Sequence, residues 1–333
     1  MARAACRPNL LYDCSSSGEF YLAAQRQYPS AAFSTGCAFG EGSVRTTRRL
    51  LQVLQLFTME SPEWSIDAAS RELGLSQSTA YVYFRDLVDA SLLVKSRTGH
   101  YSVGPAVIVY DRLTRNCDPI ISLAQPLMKD LVESSGVECV ALLCRLYRMT
   151  VLCVAQEATL KADFAVSYER GRPMPLFRGA ASKVTLAHIE RRKLRRYYDE
   201  FAGDIAKAGL GRNWSEFKAS LRRIRASNVC ITTGELDAGR VGISAPIFSA
   251  EGEILGSLSL VVSEHALRRS VGLVDKLGAK VADASRTLTN SLARGGSVAP
   301  SPGRNKKRTP QPKSRPRTRK VSKRRAPSLR RSS

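Results

Sequence analysis

SIDAASRELGLSQSTAYVYFRDLV, residues 65–88, is the stretch that decides how this chain folds. Ser65 suits a helix N-cap, because its hydroxyl can accept from an amide that the first turn leaves without a partner. It opens a short helix carrying Ile66, Ala69 and Leu73, which stops at Gly74, a residue suited to the left-handed conformation past a helix end. Ser76 caps the next helix, whose apolar positions Ala80, Phe84, Leu87 and Val88 recur at i, i+4, i+7 and i+8. Only Gly74 and Leu75 lie between the two helices. A turn that tight crosses them sharply, as a helix-turn-helix requires.

Upstream, residues 46–58 predict a first helix with Leu50, Leu54 and Phe57 on one face, ended by Pro62. In the third helix, placing Ala80, Phe84 and Leu87 inside puts Ser78, Thr79, Val82, Arg85 and Asp86 outside, with Gln77 and Tyr81 on the flanks. Small polar groups near the N-terminal end of such a helix suit a major groove, where they meet base edges and phosphates. Downstream, residues 92–95 and 101–103 predict two short strands around Ser96-Arg97-Thr98-Gly99-His100, a wing with Lys95 and Arg97 at its tip. The candidate DNA-binding residues are therefore Ser76, Gln77, Ser78, Thr79, Tyr81, Arg85, Lys95 and Arg97. The competing use of such a domain is as a protein–protein module.

The chain has 333 residues, with 52 Lys and Arg against 29 Asp and Glu, so its formal charge of +23 calls for a polyanionic partner, nucleic acid or an anionic membrane surface. The longest apolar run, about six residues around Cys139, is far short of the roughly 18 to 20 needed to span a bilayer. No apolar core of roughly 7 to 15 residues follows the N-terminal charges, which argues against a secretory signal. The eight cysteines (Cys6, Cys14, Cys37, Cys117, Cys139, Cys144, Cys153 and Cys230) show no C-x-x-C pair, and His100, His188 and His265 are far apart. That pattern predicts reduced thiols in a cytoplasmic protein with no metal and no cofactor.

Composition divides the chain into five parts. Residues 1–44 lack sustained periodicity and read as a poorly ordered extension or an over-extended gene start. Residues 45–104 form the winged helix-turn-helix, 105–117 a connector helix with Val107, Val109, Tyr110 and Leu113, and 118–294 a second folded domain. Residues 295–333 carry Pro, Ser, Lys and Arg with almost nothing apolar, including 14 cationic and no acidic residues from Ser301 onward. This tail cannot bury enough surface to fold alone and reads as a disordered basic segment, either phosphate-binding or simply solubilising. The basic run at residues 191–196 reads as a solvated helix face.

Within the second domain, residues 139–144 and 150–155 read as paired strands, and 181–187 and 191–201 as helices. Residues 242–248 and 254–262 read as strands around the turn Ser249-Ala250-Glu251-Gly252, which favours an antiparallel hairpin. Four segments resemble the isocitrate-lyase-regulator (IclR) family of bacterial transcriptional regulators: residues 50–105; Gly171-Arg172-Pro173-Met174-Pro175-Leu176 leading to Ala180-Ala181-Ser182-Lys183; Gly234-Glu235-Leu236-Asp237-Ala238-Gly239; and Gly242-Ile243-Ser244-Ala245-Pro246-Ile247-Phe248 running on to Gly256-Ser257-Leu258-Ser259-Leu260.

The resemblance implies an α+β protein, an N-terminal winged helix-turn-helix followed by a GAF-like effector-binding domain with a curved antiparallel sheet. Carried over position by position, it implies effector contacts at Ala180, Ala181, Glu235, Gly242 and Ser259. The start of the helix at Ala180 would cradle a carboxylate with its free N–H groups, so an organic or aromatic acid is the expected effector. Gly242 and Val261, where relatives that bind small oxo-acids tend to carry polar or thiol side chains, imply a roomier, more apolar pocket. Ser182-Lys183 stands for the family's usual Gly-Lys, and Val82 for a common recognition-helix arginine, which puts one DNA contact in doubt.

The expected partners are double-stranded operator DNA, a small-molecule effector, and a second copy in a homodimer or dimer of dimers reading an inverted repeat; no membrane is expected. Two other classes compete. An enzyme would need a nucleophile elbow, but Gly242-Ile243-Ser244-Ala245-Pro246 lacks the second glycine and lies within a strand. An architectural, nucleoid-associated DNA-binding protein would rely on the basic tail.

Overall fold

The computed structural model describes residues 41–159, 166–270 and 272–295. The expectations for residues 1–40 and for the basic tail from residue 296 onward lie outside the described residues, as do Cys6, Cys14 and Cys37.

The winged domain consists of α1 (Glu41–Gln55), α2 (Ile66–Leu73), α3 (Gln77–Asp89), β1 (Leu93–Lys95) and β2 (Tyr101–Val103). The Ser65 hydroxyl accepts from Ala68 N and the Ser76 hydroxyl from Thr79 N, while Gly74 takes the left-handed conformation at φ +60. Both caps and the stop signal act as the sequence indicates. The first helix differs, ending at Gln55 rather than near Thr58. Tertiary bonds end it: the Trp64 indole donates to Leu56 O at 2.8 Å, and Thr58 N turns to Ser61 O at 3.2 Å. Val53, not the predicted Leu50–Leu54–Phe57 face, supplies the fully buried contact, with those three residues partly buried around it. On α3, Tyr83 joins Ala80, Phe84 and Leu87 inside, an addition to the predicted set. Phe84 meets the Tyr101 ring edge-on at 4.7 Å, which fastens the wing to the helices.

Beyond the wing come α4 (Ala106–Cys117) and α5 (Pro119–Ser134), then the sheet strands β3 (Cys139–Tyr147), β4 (Thr150–Ala158) and β5 (Pro173–Pro175). They are followed by α6 (Ala180–Ala187), α7 (Arg191–Lys207), α8 (Trp214–Ser227), β6 (Cys230–Thr233), β7 (Arg240–Phe248), β8 (Ile254–Ser263), α9 (Glu264–Arg268) and α10 (Leu273–Ala293). Helix α7 continues past the expected stop at Phe201, where the backbone leaves helical geometry (φ −116, ψ 23) and the helix kinks. In the basic run that opens α7, Leu194 is buried while its five cationic neighbours are exposed, in keeping with a solvated face.

The six strands form one antiparallel sheet in the order β5-β4-β3-β8-β7-β6. Strand alternation assigns its two faces. Val241, Ile243, Ala245 and Ile247 of β7, with Leu258, Leu260 and Val262 of β8, pack with α5 and α10 in one core. The intervening residues Gly242, Ser244, Ser257 and Ser259 are small, and they face the other way, towards α6. Small side chains there let α6 lie close to the sheet, and Ser257 fastens it by donating to Ala181 O at 3.2 Å. Every residue of α6 is buried. On the same side, Val140, Leu142 and Cys144 of β3 meet α6, α7 and α8 in a second core. Among the described residues no helix is long and apolar enough to cross a membrane.

Candidate effector cavity and DNA-facing surface

A cavity of about 30 Å³ lies between the start of α6 and the strands β6, β7 and β8. Ala180, Ala181, Glu235, Gly242 and Ser259, the five candidates taken from three separate stretches of sequence, all line it. Leu142, Tyr168, Thr232, Leu236, Asp237, Arg240, Ser244 and Val261 complete the wall. At Gly242 an added Cβ would stand 3.3 Å from Ala180 Cβ and 3.4 Å from Thr232 Oγ1, so the glycine leaves open the space between α6 and the sheet.

The expected roominess is not what the structure shows. An ordered water occupies about 10–15 Å³ on this measure, whereas a cavity that takes benzene is about 150 Å³. Tyr168 and Leu236 account for the difference, because both crowd the start of α6: a Cβ at Gly179 would sit 2.6 Å from Leu236 Cδ1 and from the Tyr168 hydroxyl. An aromatic acid therefore enters only if one of these side chains withdraws.

The amides opening α6 are partly spoken for. Gly179 N donates to Glu235 Oε2 at 3.2 Å, and Ser182 N to the Tyr168 hydroxyl at 3.2 Å. Tyr168 also donates to Arg178 O at 3.2 Å and meets Ser182 Oγ at 2.8 Å. Burial pushes its phenol well above the usual range, so it stays protonated. Between these two occupied amides, those of Ala180 and Ala181 have no hydrogen-bond partner among the described residues, and both residues line the cavity. Glu235 is committed as well: it forms an ion pair with Lys183, whose ammonium also donates to Ala208 O at 3.2 Å. On the opposite wall Ser244 Oγ donates to Ser259 Oγ at 2.7 Å, which leaves the Ser259 hydrogen to be given elsewhere. A helix start with free amides is a place where an anion gathers, and the Ser259 hydroxyl lies across the cavity from it.

On the winged domain the eight candidates are disposed along the exposed side of α3 and the wing, with Thr79 half-buried. Ser76 Oγ lies 3.1 Å from Ser78 Oγ and 2.8 Å from Thr79 Oγ1, so these hydroxyls form the cap cluster itself. The Gln77 amide donates to Asp67 Oδ1 at 2.9 Å, tying α3 back to α2. Arg85 pairs with its neighbour Asp86 at 3.1 Å, an exposed pair that a phosphate would readily replace. Tyr81 is 55 % exposed, and Val82 faces outward beside it. Lys95 lies 5.8 Å from the Tyr101 ring centroid, and Arg97 is exposed in the turn closed by Ser96 N to His100 O at 2.7 Å.

Residues 46–97 match the family described as "IclR helix-turn-helix domain", and residues 114–290 match "Bacterial transcriptional regulator IclR C-terminal". The chain belongs to the IclR family. It is a transcriptional regulator with a helix-turn-helix DNA-binding domain and an effector-binding domain.

Among curated relatives, the Pca regulon regulatory protein of Pseudomonas putida is 26% identical over 171 residues, which cover 50% of this chain and 56% of that protein. The HTH-type transcriptional regulator BhcR of Paracoccus denitrificans is 26% identical over 253 residues, 76% of this chain and 88% of that one. A solved IclR homologue from Microbacterium hydrocarbonoxydans, complexed with 4-hydroxybenzoate, superposes with a TM-score of 0.54 at 17% identity, covering 75% of this chain and 99% of that one. That likeness is one of fold.

In this IclR-family chain several wall residues escaped the sequence reading. Ser244 was legible in principle, since it alternates with the apolar positions of β7 and faces Ser259 in register. Tyr168 and Asp237 were not. They come from irregular segments without periodicity, which Ser167 N joins by donating to Asp237 Oδ2 at 3.0 Å. His188, at the end of α6, stands apart from the cavity lining. Burial and the Arg225 charge push its pKa down to about 4, so it is neutral at physiological pH.

Proposed function

We propose that this regulator binds an inverted-repeat operator as a homodimer or dimer of dimers, and that an organic or aromatic acid in the α6 cavity modulates that binding. The observation carrying the effector class is the convergence of Ala180, Ala181, Glu235, Gly242 and Ser259 on one cavity at the start of α6, where the Ala180 and Ala181 amides have no hydrogen-bond partner among the described residues. A carboxylate satisfies both amides and gains from the helix dipole, and Ser259 supplies a third donor. The 4-hydroxybenzoate bound by the Microbacterium homologue is an acid of this class. For the dimer, the support is α4, which buries no residue and exposes Val107, Ile108, Val109, Tyr110 and Leu113.

A thermal-shift series tests the effector. An acid that binds should stabilise the protein by about 2.7 kcal/mol when present at a hundred times its Kd. Aromatic and small organic acids, 4-hydroxybenzoate first, are expected to raise Tm, and their methyl esters to do so far less. Ser259→Ala should weaken the acid by about tenfold, one hydrogen bond to a charged group. Equal shifts from esters and acids would remove the carboxylate reading.

For DNA, Ser76, Gln77, Ser78, Thr79, Tyr81, Arg85, Lys95 and Arg97 form the proposed contact surface. Arg85→Ala and Arg97→Ala should each weaken binding to a duplex selected by the wild-type protein from a random pool. A base contact costs about 1 to 3 kcal/mol, whereas a phosphate contact mainly lowers the salt slope by about one. Unchanged affinity in both variants would move the reading face elsewhere.

A further inference from the structure

The wall that closes the cavity and the bond that reaches the connector helix belong to one short segment, residues 166–172. At its cavity end, Tyr168 is held to the start of α6 through Ser182 and Arg178, and Ser167 is held through N and Oγ by Asp237, itself a wall residue. The Tyr168 carbonyl accepts from Gln156 Nε2 at 2.6 Å.

Two residues on, Arg170 points elsewhere. Its Nε donates to Val154 O at 2.8 Å, and a terminal nitrogen lies 2.6 Å from Asp111 Oδ1 on α4. Gly171 N donates to Cys153 O at 3.0 Å, so the segment lies along β4 rather than hanging free. A shift of Tyr168 therefore acts on a segment braced against β4 by the Arg170 and Gly171 bonds.

At the α4 end, the Arg170 hydrogen bond, followed by that from Arg115, holds the Asp111 carboxyl below the usual carboxylate range. The side chains of Arg170 and Asp111 are 30% and 33% exposed, more sheltered than an ordinary surface pair. Helix α4 is in turn fastened to the winged domain at its first residue, with Ala106 N donating to Ser91 O, just past the end of α3, at 3.1 Å. That bond joins α4 directly to the end of the recognition helix.

We infer that residues 166–172 are the coupling element of this regulator, with Tyr168 registering occupancy of the cavity and the Arg170–Asp111 ion pair passing it to α4 and the DNA-binding domain. The inference rests on the reading of the cavity as the effector site. A ligand too large for the present cavity displaces Tyr168, breaks its bonds to Ser182 and Arg178, and releases Arg170 from its position against Asp111. The ligand then shifts DNA affinity because it binds the two arrangements unequally.

A double-mutant cycle on DNA affinity, run on the full chain without any ligand, tests the coupling. Tyr168→Phe removes the hydroxyl that anchors the cavity end, and Ser182→Ala removes one of its partners from the other side. In the wild-type background each is expected to change affinity for the pool-selected duplex by about threefold or more, and in Asp111→Asn or Arg170→Gln backgrounds by less than about 1.5-fold. Arg115→Gln loosens α4 but spares the Arg170 bond, and should leave the effect of Tyr168→Phe intact.

Equal factors in all backgrounds would overturn the inference, as would no effect of either cavity-end variant in the wild type. So would uncoupling by Arg115→Gln as complete as that by Asp111→Asn, since mere helix loosening would then suffice. Because the cycle uses no ligand, its failure is distinct from failure of the effector reading, which the acid series decides. A wild type that selects no duplex overturns the inference and leaves the effector reading to the acid series.

Discussion

Replacing Lys183 with methionine is expected to cost about 3 to 5 kcal/mol of stability in the effector-binding domain, the usual penalty for removing one member of a buried ion pair. The Lys183 and Glu235 side chains are only 11% and 19% exposed, and the ammonium also serves the Ala208 carbonyl. Methionine fills the same volume, so the loss falls on the charge left behind. The paired substitution Lys183→Met with Glu235→Gln should recover most of it, because a neutral amide still accepts from Gly179 N and no lone carboxylate remains. Urea unfolding of the three variants, followed by the domain's far-ultraviolet signal, measures both. A double variant as unstable as Lys183→Met alone would mean that methionine itself is misfitted among the buried residues of α6.

Gly256→Ala is expected to have an effect of similar size by a different route. An added Cβ there would lie 2.0 Å from the Cys144 carbonyl oxygen and 2.8 Å from Arg145 Cα. These are backbone atoms of the neighbouring strand, opposite the irregularity between Leu143 and Cys144, and no side-chain rotation relieves the clash. Strands β3 and β8 must part, which costs about 3 kcal/mol or more for a core overpacked against backbone. Gly252→Ala, in the β7–β8 turn with open space around it but φ +82, should cost only about 1 kcal/mol of backbone strain. Equal losses from the two would show that the close approach at Gly256 yields without cost.

The two variants also separate stability from signalling. Neither residue lies in the segment linking Tyr168 to Asp111, so a surviving fraction of either should keep its DNA preference. Lys183 stands beside the cavity through Glu235, and its loss should weaken acid binding as well as the fold. Gly256 faces no ligand and should not.

Much of the architecture was legible because its causes are local. Ser65, Gly74 and Ser76 set the helix boundaries within three or four residues of themselves, and the turn Ser249-Ala250-Glu251-Gly252 pairs β7 with β8 as the expected antiparallel hairpin. Misjudged boundaries have tertiary causes. The Trp64 indole, bonded to Leu56 O, ends α1 at Gln55, and the kink at Phe201 is absorbed because that side chain packs between Phe177 and Tyr197. The family resemblance brought the five cavity residues together, but it could not say that Tyr168 and Leu236 nearly close the space between them.

What the sequence determined by itself was the winged helix-turn-helix and the main strand pairs of the second domain, because caps, turns and periodic apolar contacts join residues a few positions apart and cost little chain entropy to form. Only the tertiary structure decided which polar groups share the cavity and which ion pair reaches α4. Those groups come from distant, irregular segments, and they meet only where burial of the two cores offsets the entropy of bringing such segments together.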